Sequence, residues 1–234
     1  MYCMANIDTF FSDNEITQIN ESVAEAEQKT SAEIVPVLTD TSGGYDRSED
    51  IFGLVSAVAC TALFWILFQG IDASQAWTTE TNPALAYSLP YVILTIVTVY
   101  ILGTAAASKV WFLRHLFAAR SLMRDNIKKG ALRAFYEYDL SKTEHSTGIC
   151  IYISLFERMV YVLGDEAISK KFNDKDFAEI RDVIIKGLKH KGNRAEGLCE
   201  GIRMCGTKLA EFFPISENDT NELPNTLRIW KQDL

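Results

Sequence analysis

The chain has 234 residues, of which 31 are acidic and 23 basic, for a formal net charge of -8. That balance argues against a nucleic-acid binder, which needs a basic face to meet phosphates. The mean hydropathy is close to zero and would suit a soluble domain, so the information lies in where the apolar residues fall along the chain.

The first element is announced by Ser12-Asp13-Asn14-Glu15, a capping box in which the hydroxyl and the carboxylate satisfy exposed backbone N–H groups. Ile16, Ile19, Val23 and Ala26 follow at helical spacing, so 13–28 reads as an amphipathic helix. Glu33-Ile34-Val35-Pro36-Val37-Leu38 is a short β-branched run and reads as a strand. Pro36 inside it predicts an edge or an irregular position. Residues 39–50, with Gly43-Gly44, read as a flexible polar linker.

Two runs then lack any charged residue, 51–71 and 81–108. The first spans roughly 31 Å at the rise of an α-helix, matching a hydrocarbon core of about 30 Å. In the second, Asn82, Pro83 and Ser88 suit a loop and Pro90 suits a first helical turn, so the span is expected over 89–108. Trp77 and Trp111 fall near the interfaces. The remaining chain is too small and too polar to wrap both runs as core helices, and a signal peptide would begin the chain instead of starting fifty residues in. Lys109, Arg114, Arg120, Arg124, Lys128, Lys129 and Arg133 follow the second run, whereas the connection carries only Asp72 and Glu80. The positive-inside rule then places both flanking segments in the cytoplasm. Lys109, Arg114 and Arg120 are expected to contact anionic lipid headgroups.

Beyond the hairpin, 109–138 has helical composition and could continue the membrane helix, with Gly130 as a weak point. Residues 148–155 are nearly all apolar, as in a strand covered on both faces. After Phe156-Glu157, residues 158–163 form a second strand and complete a hairpin that Gly164 ends. Helices are expected over Asp174–Lys189 and 194–213, where Gly197 and Gly201 permit close approach to a neighbour. The five cysteines, at 3, 60, 150, 199 and 205, have neither metal-ligand nor disulfide spacing and read as structural thiols in a reducing compartment. A lone helix and strand ahead of the membrane cannot bury their apolar faces, so residues 1–50 and 109–214 are expected to fold together as one α/β domain. The hairpin, 51–108, interrupts it, and 215–234 is a polar C-terminal tail.

Several separated motifs carry a resemblance: Glu33-Ile34-Val35-Pro36-Val37 after a capped helix, the run from Thr147-Gly148-Ile149 to Phe156-Glu157-Arg158, Leu163-Gly164-Asp165, and Asn221-Glu222-Leu223-Pro224. In this order they resemble the TPM domain family, and within it the bacterial membrane-protein branch in which a transmembrane hairpin interrupts the domain. The resemblance covers most of the chain. It implies an α/β sandwich with a mixed sheet, in the bacterial cytoplasmic (inner) membrane. It also implies a range of roles: photosystem repair, acid phosphatase activity, divalent-cation binding, with Ca2+ or Mg2+ as the ion, and receptor accessory functions. The acidic loop clusters of soluble and photosynthetic members have no residue-by-residue counterpart here, so their metal ligands do not carry over.

The candidate residues lie at strand ends. His145 precedes the first strand of the hairpin and Asp165 follows the second, and an antiparallel pair brings its open ends together. That pair could serve acid/base chemistry, and Asp165 or Glu33 could ligate a metal. The plainer expectations are a solvated His–Asp pair, Asp165 as a helix cap, Glu33 in a local salt bridge, Glu157-Arg158 as a polar turn with a surface ion pair, and Asn221-Glu222 as a cap. Glu157, Arg158, Asn221 and Glu222 are also candidate interaction residues. There is no phosphate-binding glycine loop, paired-histidine zinc motif or nucleophile elbow, and the spans carry no ionisable residue for an ion pathway. The expected function is therefore an interaction or accessory module for other membrane proteins, with a divalent-cation-dependent phosphatase of TPM type as the alternative.

Overall fold

The computed structural model describes residues 7–68, 83–110, 115, 118–143, 145–189, 194–215 and 220–231. These fall into two compact units, Tyr45–Ala119 and a second formed by Met1–Gly44 together with Arg120–Leu234.

The discontinuous unit is α/β. Helix α1 (Asp13–Glu27) starts with the expected capping box: Ser12 accepts from the Glu15 N–H and the Glu15 carboxylate accepts from the Ser12 N–H. Strand β1 (Glu33–Thr39) pairs in parallel with β2 (Gly148–Ser154), which pairs antiparallel with β3 (Met159–Gly164). The segment expected as a polar tail contributes a fourth strand, β4 (Arg228–Trp230), parallel to β1. The sheet is thus mixed, in the order β3-β2-β1-β4.

Every residue of β1 and β2 is buried, because helices cover both faces. Ile34, Leu38, Ile149, Ile151 and Ile153 pack with α1, α5 (Glu166–Lys171), α6 (Asp174–Lys189) and α7 (Arg194–Phe212). Val35, Val37, Cys150 and Tyr152 face α4 (Arg120–Glu137) through Ile127, Ala131, Ala134 and Phe135. Pro36 therefore sits in an internal strand, contrary to the simple edge expectation, and the ladder explains how. In parallel pairing, alternate residues turn their backbone groups to the same side. The Thr39 carbonyl accepts from Leu155 on the β2 side, and the Ile34 N–H turns the other way, to the Glu27 carboxylate. Pro36 is in phase with Ile34, so its nitrogen faces the β4 side, where pairing begins only at Val37. The missing donor is not needed there.

Gly130 does not weaken α4. The helix runs through it, and a Cβ there would strike the Tyr152 hydroxyl, so the position is kept small for that ring. Glycines join α6 to α7 in the same way, as expected for Gly197 and Gly201. A Cβ on Gly197 would overlap the Cα of Gly187, and one on Gly201 would overlap Ile184.

In the other unit, α2 (Asp46–Phe68) begins before the apolar run, and α3 (Pro83–Lys109) begins before its expected start at 89. Pro83 takes the first helical position, where a proline fits, and Pro90 lies inside the helix. The two helices run antiparallel: Gly53 meets Tyr100 and Thr104, Gly103 meets Gly53, and the Tyr100 hydroxyl donates to Asp50 at 3.0 Å. α3 does not continue into α4, because Val110 is already outside the helix. Asp72, Trp77, Glu80, Trp111 and Arg114 lie outside the described residues.

Replacing Gly197 by Val should wedge α6 from α7 and lower stability by about 1–3 kcal/mol. Glu200→Val on the exposed side of the same helix should change it by less than about 0.5 kcal/mol. Denaturant titration of the purified protein compares the two.

Candidate functional site

The strand register sorts the candidate residues to the two ends of the sheet. Glu33 is paired with Gly148, whose carbonyl accepts from the Asp165 N–H at 2.8 Å. Glu33 and Asp165 thus border the same end. His145 is exposed in the turn ahead of β2. Glu157 and Arg158 occupy the β2–β3 turn at the opposite end, with Arg158 in the left-handed region at φ 53.

At the first end the carboxylates face backbone. Asp165 caps α5, accepting from the Glu166 N–H at 2.7 Å. Glu33 is buried, and its two oxygens accept from the N–H groups of Glu222 at 2.9 Å and Leu223 at 3.3 Å. Two motifs that are nearly 190 positions apart in sequence therefore form one contact. The Glu33 carboxylate fixes the returning C-terminal segment just before it enters β4. Further along, Asn20 accepts from the Leu227 N–H and Lys231 pairs with Asp8 at 2.7 Å. Asn221 bonds Asn225 across the bend.

At the other end lies a buried polar cluster that has no motif in the sequence. Glu157 is buried, although its place in a turn suggests an exposed residue. It accepts from the Ser42 N–H at 2.9 Å and is hydrogen-bonded to the Ser154 hydroxyl. Ser154 is paired with Thr39, which is also fully buried. The Tyr152 phenol sits among Ser42, Thr39 and Gly130. Burial pushes it up to about 12 and the Glu157 charge adds to the rise, while the neighbouring Ser42 and Thr39 hydroxyls act the other way. The stretch 39–44 is therefore held in place through Ser42 and is not the free linker that its composition suggests. The available signal was small: Thr39, Tyr152 and Ser154 are polar positions in phase on one face of two apolar strands.

These arrangements bind chain segments. Ser42 and Ser154 are buried beside the Glu157 carboxylate and the Tyr152 phenol. Among the described residues no three or more His, Cys, Asp or Glu side chains are grouped to hold a metal ion. Glu33 gives both oxygens to backbone donors, whereas Asp165 gives Oδ1 to the Glu166 N–H and keeps Oδ2 buried without a hydrogen-bond partner. Of the headgroup candidates, Lys109 ends α3 and Arg120 starts α4, both exposed.

Glu33→Gln removes one of two carboxylate acceptors, and should cost about 1–3 kcal/mol and speed amide exchange at Glu222 and Leu223. Unchanged exchange there would show that the carboxylate does not hold the segment. Tyr152 ionises near 10 when unfolded and only near 12 when folded, so the stability it confers is complete below pH 10 and is lost as pH rises towards 12. Urea midpoints measured across that window should fall with pH, and Tyr152→Phe should flatten the fall.

No family model matches the chain and no curated protein is similar to it. Among solved structures, the NMR structure of the BA42 protein from the psychrophilic bacterium Bizionia argentinensis is similar, with a TM-score of 0.55 and 19% identity. The match covers 97% of this chain and 100% of that one, and at that identity it is a likeness of fold.

Proposed function

We propose that the chain is a two-pass protein of the bacterial cytoplasmic membrane, with both termini in the cytoplasm. Its TPM-like domain serves as an interaction or accessory module for other membrane proteins. The observation that carries the membrane reading is the outward apolar surface of α2 and α3. Leu54, Val58 and Leu63 on one helix and Leu94, Ile101 and Leu102 on the other are each more than half exposed. Among the described residues, Pro90–Lys109 is long and apolar enough to cross a membrane, with 11% of it buried. Water does not favour so continuous an apolar surface, whereas acyl chains do.

The domain's carboxylates support a binding role over a hydrolytic one. Glu33, Glu157 and Asp165 are the acidic groups best placed for chemistry, and each accepts hydrogen bonds from backbone N–H groups that hold the fold.

Measurements on the full chain test the topology, the partner and the chemistry in turn. Alkaline carbonate should leave the protein in the membrane fraction, and a C-terminal alkaline phosphatase fusion should be inactive. Crosslinking in native membranes should recover a reproducible membrane-protein partner. The detergent-purified protein should neither hydrolyse a phosphomonoester nor shift its melting temperature with Mg2+ or Ca2+. Release by carbonate or an active fusion would overturn the topology, and cation-dependent turnover would favour a phosphatase.

A further inference from the structure

Helix α4 divides its residues sharply. Met123, Ile127, Gly130, Ala131, Ala134 and Phe135 are buried. Arg120, Arg124, Lys128, Leu132 and Tyr136 recur at intervals of four, and all are exposed, as are Lys129 and Arg133. Leu132 and Tyr136 are 47% and 61% exposed. Among the described residues none of the five cations has an ion pair or a side-chain hydrogen bond, although acidic groups predominate in the chain as a whole. Asp125 and Glu137 are exposed on the same helix, so its exposed surface sets five cations against two carboxylates and keeps an excess of positive charge.

We infer that the exposed side of α4 lies on an anionic lipid surface as a second, peripheral contact of the domain with the membrane. The inference rests on the reading of α2 and α3 as a membrane hairpin. Two features favour lipid over an acidic protein. The cations are interleaved with one aliphatic and one aromatic side chain, the pattern of helices lying in a headgroup region, where Lys and Arg reach phosphates while Leu and Tyr enter the acyl boundary. Chain continuity is the other: only residues 110–119 link the end of α3 to the start of α4, a tether of at most roughly 36 Å. Positions four apart drift by about 40° around a helix, so Lys128, Lys129, Leu132, Arg133 and Tyr136 share one side, along roughly 12 Å, while Arg120 lies off it.

The test uses the full chain reconstituted in nanodiscs of phosphatidylcholine alone, or of phosphatidylcholine and phosphatidylglycerol in equal parts. Lysines are acylated with an uncharged water-soluble reagent and quantified by mass spectrometry, with exposed Lys175 and Lys186 of α6 as internal references. Lys128 and Lys129 should react roughly three- to tenfold more slowly in the anionic discs, and the protection should disappear in molar salt. Equal rates in the two kinds of disc would overturn the proposal. So would protection seen only in native membranes, which would assign this face to an acidic protein. Retention in the disc after carbonate treatment is scored separately, so failure of the lipid contact is distinguishable from failure of the membrane hairpin.

Discussion

Glu33–Thr39 and Gly148–Ser154 are buried on both faces, and neither has its hydrogen bonds satisfied without the other. A buried backbone N–H or C=O without a partner costs as much as a lost hydrogen bond, so this parallel ladder must form for anything around it to be stable. Parallel strands cannot be joined by a tight turn. The intervening chain has to leave the sheet and return, and the whole of α2, α3 and α4 is the connection. The second neighbour of β1 imposes the same condition at the far end of the chain, since β4 is also parallel to it. One strand, encoded early, thus obliges both later parts of the sequence to come back to it.

The two buried glutamates mark where the chain returns. Glu33, at the start of β1, accepts the backbone N–H groups of the segment that leads into β4. Glu157, beyond the end of β2, accepts the Ser42 N–H of the segment that leads out towards α2. A carboxylate removed from water is expensive unless hydrogen bonds replace its hydration, and each of these is matched by donors from a distant stretch. They make the exit and the re-entry of the chain specific, which suits a domain that must keep its shape across a long insertion.

Much of this was legible because it is local. The capped α1, the β2–β3 hairpin and the amphipathic α6 and α7 follow from spacing and end signals within a few residues, and the α/β class follows from their order, while the mixed sheet is what the family resemblance implies. What escaped was non-local. Arg228-Ile229-Trp230 is too short to declare a strand, and becomes one because the second half of β1 has an open side. Gly130 looks like a defect until Tyr152 is placed beneath it. Glu157 looks like a surface turn residue, since its burial depends on Ser42, 115 positions away. The start of α3 was misplaced because two prolines compete for the first helical turn, and Pro83 takes it.

Pro36 has a meaning in time as well as in space. More than a hundred residues separate β1 from β2, and at about 5–20 residues per second of synthesis the first strand waits several seconds for its partner. Through that interval Ile34, Val35, Val37 and Leu38 form an apolar, β-prone segment with open backbone groups, the kind that recruits copies of itself from neighbouring chains. A proline at its centre interrupts any continuous intermolecular ladder, and Glu33 at its border adds like-charge repulsion between copies. The native ladder loses nothing by it, because β4 pairs only from Val37 onward.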